Sequence, residues 1–241
     1  MTQELVEVSE ETLAALKSVS TATLTTRLLA AGYRNTFLYG LKPIDSDNVS
    51  FAGPAYTLRY IPAREDLDTV GAFEDRSHPQ RVAIDSIPAG SVLVMDCRGQ
   101  PRAAAGGDIL FTRLAQRGGV AVVSDGSVRD VARIREIGIP VFTRGVSAMT
   151  NLALHHAVDI DVPIGCAEVA VYPGDIMVGD ADGVVCIPRA LAKEIAEASV
   201  EQERMEAWLA ERIRAGAPVI GTYPPSPEVL DEYHAWLESR E

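Results

Sequence analysis

The sequence predicts an α/β fold, and three observations support that prediction. Apolar runs typical of buried strands, at 91–96, 120–124 and 140–142, alternate with helical patterns. Short β-rich runs separated by tight turns then occupy 162–187. From Pro188 onward, apolar residues recur at three- and four-residue spacings, as in one long helix. We therefore expect an alternating α/β core, a β-meander packed as a layer on that core, and C-terminal helices.

Two short helices are predicted before the first strand. Residues 9–17 place their leucines on one face, and Ser20 is positioned as the N-cap of a second helix that ends at Gly32. Alternation and β-forming residues at 51–61 are typical of a strand. The segment 81–87 could form a short helix, whereas 150–158 is compatible with either a helix or a strand.

The C-terminal part of the chain is predicted to form an arm. Gly216 ends the long helix, a proline-rich linker follows, and 227–237 has the pattern of a last short helix. We therefore expect one domain over residues 1–215 and a C-terminal arm and helix over 216–241. A terminal helix on such an arm seldom finds a core of its own, so packing on a neighbouring subunit is our hypothesis for it.

Composition narrows the class of protein. The chain has 241 residues, 47% of them hydrophobic, which is ample apolar material for one large domain. Its formal net charge of −12 argues against broad binding to nucleic-acid phosphates, which requires clustered Lys and Arg. No apolar run reaches the roughly 18–20 residues of a membrane span. The polar, acidic start fits neither a secretory signal nor a transit peptide, so we expect a cytoplasmic protein with no nucleic-acid or membrane partner.

The cysteines do not suggest a disulfide framework. Cys97, Cys166 and Cys186 are odd in number and widely spaced, and each lies inside or beside an apolar strand-like run. This pattern predicts buried thiols in a reducing compartment.

A glycine-rich turn at 104–110 is the first candidate site. Gly106 and Gly107 let the backbone turn tightly, and Asp108 stands at the start of an apolar helix. The unpaired N–H groups and the dipole of a helix start can bind a carboxylate or a phosphate. The alternative is that Asp108 merely caps the helix, a contribution of about 1 kcal/mol.

A second turn, D-G-S-V-R-D at 125–130, ends a buried strand and begins another helix. The helix dipole disfavours a cation at the position of Arg129, so this arginine requires an anionic partner, and its planar fork matches a carboxylate. Asp130 could anchor Mg²⁺, which keeps most of its waters and needs few protein oxygens. A surface Arg–Asp pair with a helix cap is the alternative. Because turns at strand–helix junctions gather ligands in α/β folds, we interpret 104–145 as the active-site region.

Together these motifs resemble a known family. The stretches G-G-D-I-L, V-V-S-D-G-S-V-R-D, I-P-V-F and Y-P-G-D-I-M-V-G-D-A-D-G-V-V-C-I-P are similar to the regulator-of-ribonuclease-activity-A-like (RraA-like) family. That family includes the class II 4-hydroxy-4-methyl-2-oxoglutarate/4-carboxy-4-hydroxy-2-oxoadipate aldolases, whose signature D-x20-R-D is matched by Asp108, Arg129 and Asp130. The resemblance covers roughly residues 10–200. It implies a swivelling β/β/α domain assembled as a homotrimer or a dimer of trimers, with active sites at subunit interfaces.

The resemblance also implies a role for each site residue. Asp130 would hold Mg²⁺ or Mn²⁺, largely through waters, and a 2-oxo acid substrate would chelate that metal. Arg129 would polarise the keto oxygen of the substrate, and Asp108 would hold the water that protonates the pyruvate enolate. The substrate carboxylate would be received by the backbone N–H groups of Gly107, Asp108, Ile109 and Leu110.

Elementary chemistry is consistent with those roles. Cleavage between C3 and C4 of a 4-hydroxy-2-oxo acid leaves a pyruvate enolate, whose charge a metal and a guanidinium can neutralise. Loss of one such donor costs about 3–4 kcal/mol. The same enolate forms when oxaloacetate loses CO₂, so decarboxylation is a natural second activity. The resulting hypothesis is a metal-dependent carbon–carbon lyase, a class II pyruvate aldolase.

Two other functions remain open from the sequence. One is a regulator without chemistry of its own that binds an endoribonuclease. The other is a sugar-acid dehydratase that uses the same enolate-stabilising site.

Some segments depart from the common family pattern. The stretches 59–68 and 150–162 look like elaborations, and four of their side chains could shape a pocket for a polar substrate tail: Arg59, Arg64, His155 and His156. Salt bridges and a satisfied histidine pair are the alternative. The histidines and Cys166 have poor spacing for zinc. In the metal-dependent aldolases, a Glu from an adjacent subunit helps to position the metal waters. The helix after Pro188 offers four candidates for this role, and the sequence does not favour one of them: Glu194, Glu197, Glu201 and Glu203.

Overall fold

The computed structural model describes residues 7–240, which form a mixed α/β fold. Its α-helices are α1 (Glu10–Ser18), α2 (Thr21–Ala30), α3 (Pro79–Ser86), α4 (Asp108–Gln116), α5 (Val131–Ile137), α6 (Ala192–Arg214) and α7 (Pro227–Glu238). Its strands are β1 (Lys42–Pro43), β2 (Phe51–Pro62), β3 (Val92–Asp96), β4 (Ala104–Gly106), β5 (Ala121–Val128), β6 (Val141–Val146), β7 (His155–Ile160), β8 (Ile164–Cys166), β9 (Val169–Val171), β10 (Ile176–Gly179) and β11 (Val184–Ile187). Short 3-10 turns lie at Val70–Glu74, Asn151–Ala153 and Arg189–Leu191. The predicted α/β class is confirmed.

The main sheet has the order β1-β6-β5-β3-β2-β10-β11, with β4 paired to β5 and β7 paired to β2. The pairs β2–β3, β3–β5, β5–β6 and β4–β5 are parallel. The helices α3, α4 and α5 connect these parallel strands, which is the alternation that the sequence predicts. The segment 150–158, left open by its pattern, is a 3-10 turn followed by β7.

The strands between residues 162 and 187 are arranged differently from the predicted single layer. We expected 162–187 to form a layer on the core, but only β8 and β9 form a separate two-stranded sheet. The strands β10 and β11 instead extend the main sheet through β2. The reason is the length of β2, whose 12 residues leave an open edge that β10 occupies near Phe51 and β7 occupies near Pro62.

The two faces of the sheet are covered by different layers. In β3, Val92 and Val94 point to the face covered by β8 and β9, whereas Leu93 and Met95 point to the face covered by α3, α4 and α5. This follows from the alternation of side chains along a strand. Because both faces are buried, the strand is apolar at four consecutive positions. The result is a β/β/α layering.

The N-terminal helices pack with α6 against β10 and β11. As predicted, Ser20 caps α2, and its hydroxyl accepts the backbone N–H of Thr23 at 3.1 Å. Ser9 caps α1 in the same way, through the N–H of Thr12. Each such cap contributes about 1 kcal/mol. The backbone N–H of Ser20 also donates to Glu203 at 2.6 Å, which ties α2 to α6.

The C-terminal helix α7 packs on α6 of its own chain. Trp208 and Leu209 of α6 form a small apolar cluster with Tyr233 of α7. The hydroxyl of Tyr233 donates to Glu201 at 2.9 Å. Both the domain boundary at residue 215 and the packing of the arm on a neighbouring subunit stay predictions. Between residues 7 and 240, no α-helix combines the length and the hydrophobicity that a membrane span requires.

Candidate active site

The two predicted turns lie side by side because β4 and β5 run parallel. Gly106 at the end of β4 is paired with Val128 at the end of β5. The backbone N–H of Arg129 donates to the carbonyl oxygen of Gly106 at 3.1 Å, which joins the two turns directly. The helices α4 and α5 begin immediately after these turns. The structure therefore brings together the two motifs that are twenty residues apart in the sequence.

Gly107 is required by the close approach of the second turn. It is the N-cap of α4, and its φ of −152° is extended backbone that any residue adopts. A Cβ atom at this position would lie 2.6 Å from Oδ2 of Asp130 and 3.1 Å from Cγ of Arg129. The absence of a side chain is therefore what lets the Arg–Asp pair reach the start of α4.

Asp130 adopts a left-handed backbone conformation, with φ 60° and ψ 36°. Such a conformation costs a residue other than glycine about 1 kcal/mol or more, although Asp tolerates it better than most. The side chain forms no capping hydrogen bond to α5. Its Oδ2 instead lies 3.4 Å from Nε of Arg129, and both side chains are about half exposed. The alternative of a surface Arg–Asp pair with a helix cap is therefore correct for the ion pair between Arg129 and Asp130. It is wrong for the cap, because the side chain of Asp130 does not cap α5.

Asp108 is the first residue of α4, and its carboxylate has several partners. Nη1 of Arg133 lies 3.2 Å from its Oδ2. Burial raises the pKa of this carboxyl, but hydrogen bonds from Arg133 and from the backbone N–H of Ile109 outweigh burial, and the carboxyl of Asp130 also interacts with it. The pKa of Asp108 therefore lies below its ordinary value, and the group is a carboxylate at neutral pH.

A cavity of about 130 Å³ lies where these groups meet. Pockets that bind drug-sized ligands have volumes of roughly 300–1,000 Å³, so this cavity suits a ligand smaller than those. All of the residues predicted for the site line it: Gly107, Asp108, Ile109, Leu110, Arg129 and Asp130. Two larger depressions adjoin the cavity, one of about 530 Å³ that shares Asp108 and one of about 330 Å³ that shares Arg129 and Asp130, whereas those of about 410 Å³ beside α2 and about 740 Å³ between α1 and α6 contain none of the six residues.

Sequence reasoning missed five residues that line the same cavity: Phe73, Gln80, Arg81, Thr150 and Asn151. They come from the segment before β3 and from the turn before β7. Only Arg81 had a recognisable signal, since it lies in the first turn of α3, where the helix dipole disfavours a cation. Gln80 is buried and donates to the carbonyl oxygen of Ala105 at 2.5 Å, which holds α3 against β4.

The polar residues of the predicted elaborations have partners outside the cavity. Arg59 pairs with Asp159, and Arg64 lies 2.6 Å from Asp66. His156 lies 2.7 Å from Asp68. The salt-bridge alternative is therefore confirmed for Arg59 and Arg64, and the ring of His156 has a hydrogen-bond partner in Asp68.

His155 and the cysteines are buried. The ring of His155 is fully buried, with Nε2 3.3 Å from the carbonyl oxygen of Ala103, and burial lowers its pKa. As predicted, the three cysteines are buried free thiols. Burial raises the pKa of each of them: Cys97, Cys166 and Cys186.

Three of the four candidate glutamates on α6 contact other residues of the same chain. Glu203 accepts from Ser20, Glu201 accepts from Tyr233, and Glu197 lies 3.9 Å from Lys193. A role for these residues or for Glu194 at the site of an adjacent subunit stays a prediction.

Comparison with known proteins shows what this chain resembles. Residues 21–186 match the profile of the RraA-like family, described as Aldolase/RraA. Protein DlpA of Legionella pneumophila is 31% identical over 180 residues, which are 75% of this chain and 28% of that protein. A 4-hydroxy-4-methyl-2-oxoglutarate aldolase of Thermus thermophilus is 31% identical over 120 residues, 50% of this chain and 72% of that protein. The structure of Streptomyces coelicolor RraAS2 superimposes on this chain with a TM-score of 0.74 and 30% sequence identity. The superposition covers 84% of this chain and 96% of RraAS2, which is described as an unusual member of the RNase ES inhibitor RraA protein family.

Proposed function

The chain belongs to the RraA-like family, and from that premise we propose that it is a divalent-metal-dependent lyase that cleaves a 4-hydroxy-2-oxo acid by a retro-aldol reaction. The observation that supports this most strongly is the meeting of Asp108, Arg129 and Asp130 on one small cavity at the start of α4. The name of the Thermus thermophilus relative supports the same reaction class. Decarboxylation of oxaloacetate, which forms the same enolate, is a second activity of the proposed site.

A hydrated divalent cation fits the donor set of this cavity. Asp130 offers a half-exposed carboxylate, and the carboxylate of Asp108 is close to it. Between residues 7 and 240, no cluster of three or more His, Cys, Asp or Glu side chains could hold a metal, so an enclosed zinc site does not fit. Mg²⁺ and Mn²⁺ suit carboxylate and water ligands, and Mg²⁺ needs only one or two carboxylates. Asp130 would hold the cation, largely through waters, and the cation would withdraw electron density from the substrate oxygens.

Arg129 would stabilise the charge that develops on the keto oxygen. Arg129 lines the cavity, and its guanidinium is positioned by the ion pair with Asp130 at 3.4 Å. A cation already in place when the enolate forms needs no reorganisation, and this is the main advantage of such a group.

The start of α4 would bind the carboxylate of the substrate. Gly107, the N-cap residue, has no side chain that could cap the first N–H groups of the helix, of which the N–H of Ile109 donates to the carboxylate of Asp108. These groups and the positive end of the helix dipole favour an anion at this point. Asp108, ionised at neutral pH, would accept a hydrogen bond from a water and fix its position for protonation of the enolate carbon.

The direct test is pyruvate release by the purified protein with Mg²⁺ or Mn²⁺ from a panel of 4-hydroxy-2-oxo acids and oxaloacetate. We expect Arg129→Ala to lower kcat by about 100- to 1,000-fold, as for the loss of one oxyanion donor. Arg113→Ala is the matched control, because Arg113 lies on α4 outside the cavity and forms a surface ion pair with Asp85 of α3. No pyruvate from any substrate, or full release by the Arg129→Ala protein, would contradict the proposal.

A non-catalytic regulator of an endoribonuclease is the second candidate, favoured by the similarity to RraAS2. It predicts that an endoribonuclease is retained by the immobilised protein and that Asp130→Ala leaves retention unchanged. A dehydratase would form a dehydrated product without a second carbonyl fragment, which the same substrate panel detects by mass spectrometry.

A homotrimer or a dimer of trimers is part of the proposal. Ile109 and Val146 are 78% and 61% exposed, and each lies beside Arg129 and Asp130. Exposed apolar side chains next to a charged site support an interface there. Light scattering during size-exclusion chromatography tests this assembly.

A further inference from the structure

The candidate site contains a cation that has no carboxylate partner. Arg81 lines the cavity from α3, is partly buried, and forms no ion pair with any residue between 7 and 240. In contrast, Arg129 pairs with Asp130, and Arg133 outside this cavity pairs with Asp108. An anion bound in the cavity would stabilise this guanidinium, because a charge that is partly removed from water is favoured by an opposite charge nearby.

The guanidinium of Arg81 is positioned by an aromatic ring. Its Cζ lies 4.5 Å from the centroid of Phe73, in a cation–π contact. Such a contact leaves the N–H groups at the edge of the guanidinium free to donate. Two parallel hydrogen bonds from this edge match the two oxygens of a carboxylate.

Asn151 adds an unpartnered buried donor to the same cavity. The residue is 4% exposed, and its amide nitrogen Nδ2 has no hydrogen-bond partner among the described residues. Native proteins seldom leave a buried amide unpaired, because the amide gives up its hydrogen bonds to water and gains none in return. Asn151 belongs to the turn before β7, so this donor and Arg81 reach the cavity from two different segments.

The charges of the lining favour a dianion. Its charged side chains are two arginines, Arg81 and Arg129, and two aspartates, Asp108 and Asp130, whose charges cancel. A bound divalent cation would therefore leave two positive charges, which a dicarboxylate balances and a monocarboxylate does not.

We propose that Arg81 and the amide of Asn151 form a second anion subsite, which receives the terminal carboxylate of a dicarboxylic 2-oxo acid. Arg81 thereby determines the preference for a dicarboxylic over a monocarboxylic substrate. The inference rests on the proposed function for the orientation of the 2-oxo end, which lies at the start of α4. The volume of about 130 Å³ limits the substrate to a short acid.

The test compares two unreactive ligands that differ only at the terminal group, 2-oxoglutarate and 2-oxopentanoate. Both lack the 4-hydroxyl group, so neither undergoes retro-aldol cleavage, and their Kd values are measured by calorimetry with Mg²⁺ present. We expect the wild-type protein to bind 2-oxoglutarate about 10- to 100-fold more tightly, the ratio expected for a charge-assisted contact. In Arg81→Met, which keeps an apolar chain against Phe73 but removes the charge, this ratio falls to near one.

Arg76→Met is the matched control, since Arg76 is an exposed arginine of the same segment that does not line the cavity. It keeps the wild-type ratio, and melting curves verify that each variant folds. Arg81→Lys keeps the charge but not the planar fork, so it retains part of the preference. Equal binding of the two ligands by the wild-type protein, or an unchanged ratio in Arg81→Met, overturns the subsite.

Cleavage of 4-hydroxy-2-oxoglutarate and 4-hydroxy-2-oxopentanoate separates this inference from the proposed function. If the protein binds 2-oxoglutarate more tightly than 2-oxopentanoate but cleaves neither 4-hydroxy compound, the subsite is supported and the lyase activity is contradicted. If it cleaves the 4-hydroxy compounds but binds the two unreactive ligands equally, the lyase activity is supported and the subsite is contradicted.

Discussion

Gly107→Ala perturbs the candidate site with the smallest possible change. The added methyl group would lie 2.6 Å from Oδ2 of Asp130, so this oxygen must retreat by about 0.8 Å to reach an ordinary contact of 3.4 Å. The contact with Cγ of Arg129, 3.1 Å, is also too short. Because both side chains are about half exposed, they can move outward without unfolding the protein. We expect the methyl group to displace the Arg–Asp pair from the start of α4.

A displacement of about 1 Å at a reacting centre can lower the rate about 100-fold. We therefore expect kcat/KM for pyruvate release to fall by about that factor in Gly107→Ala, together with weaker Mg²⁺ binding. Stability changes little, because alanine in place of glycine at an N-cap costs at most about 1 kcal/mol. For a domain of this size that is a shift of roughly 2–4 °C in Tm. Coupled pyruvate assays, calorimetric Mg²⁺ titration and thermal melts measure the three quantities.

Gly165→Ala is the control for this variant, because no atom lies within 4 Å of the added Cβ there. It should keep the wild-type activity and Mg²⁺ affinity. Wild-type values of both in Gly107→Ala would refute the reasoning, since the Arg–Asp pair would then not need to lie against α4. A large loss of Tm without a change in Mg²⁺ affinity would point to a structural role for Gly107 instead.

Two further predictions concern buried titratable groups. Burial lowers the pKa of His155 below the 6.5 of an ordinary histidine, so the unfolded chain binds more protons than the folded one as the pH falls below about 6.5. We expect the free energy of unfolding in urea to decrease from pH 7.5 to pH 5.5, and to decrease less in His155→Gln; an equal decrease in both proteins would contradict this. Because burial raises the pKa of Cys97, Cys166 and Cys186, we expect them to react with a thiol reagent only after unfolding in urea; rapid labelling of the native protein would show that a thiol is accessible.

Local patterns predicted most elements correctly. The strand β3 is evident in the sequence because four consecutive apolar residues are typical of a strand buried on both faces. The start of α2 is evident because the capping hydroxyl of Ser20 acts within three residues. In both cases the physical cause lies inside the segment itself.

Elements with distant partners were predicted less well. The pairing of β10 with β2 was missed because β10 has the same pattern whether it joins the main sheet or a second one. Arg81 and Asn151 were missed because neither belongs to a motif, and each reaches the cavity only through the packing of its segment.

By itself, the sequence determined the α/β class, the family, and the two turns that bear Asp108, Arg129 and Asp130. The cause of each is local, since periodicity, capping and short motifs depend on near neighbours along the chain. Only the tertiary structure decided that these turns meet, because that depends on the parallel pairing of β4 with β5. It also decided which other groups face the cavity, because side chains from α3 and from the turn before β7 are brought there by the folding of distant segments onto one sheet.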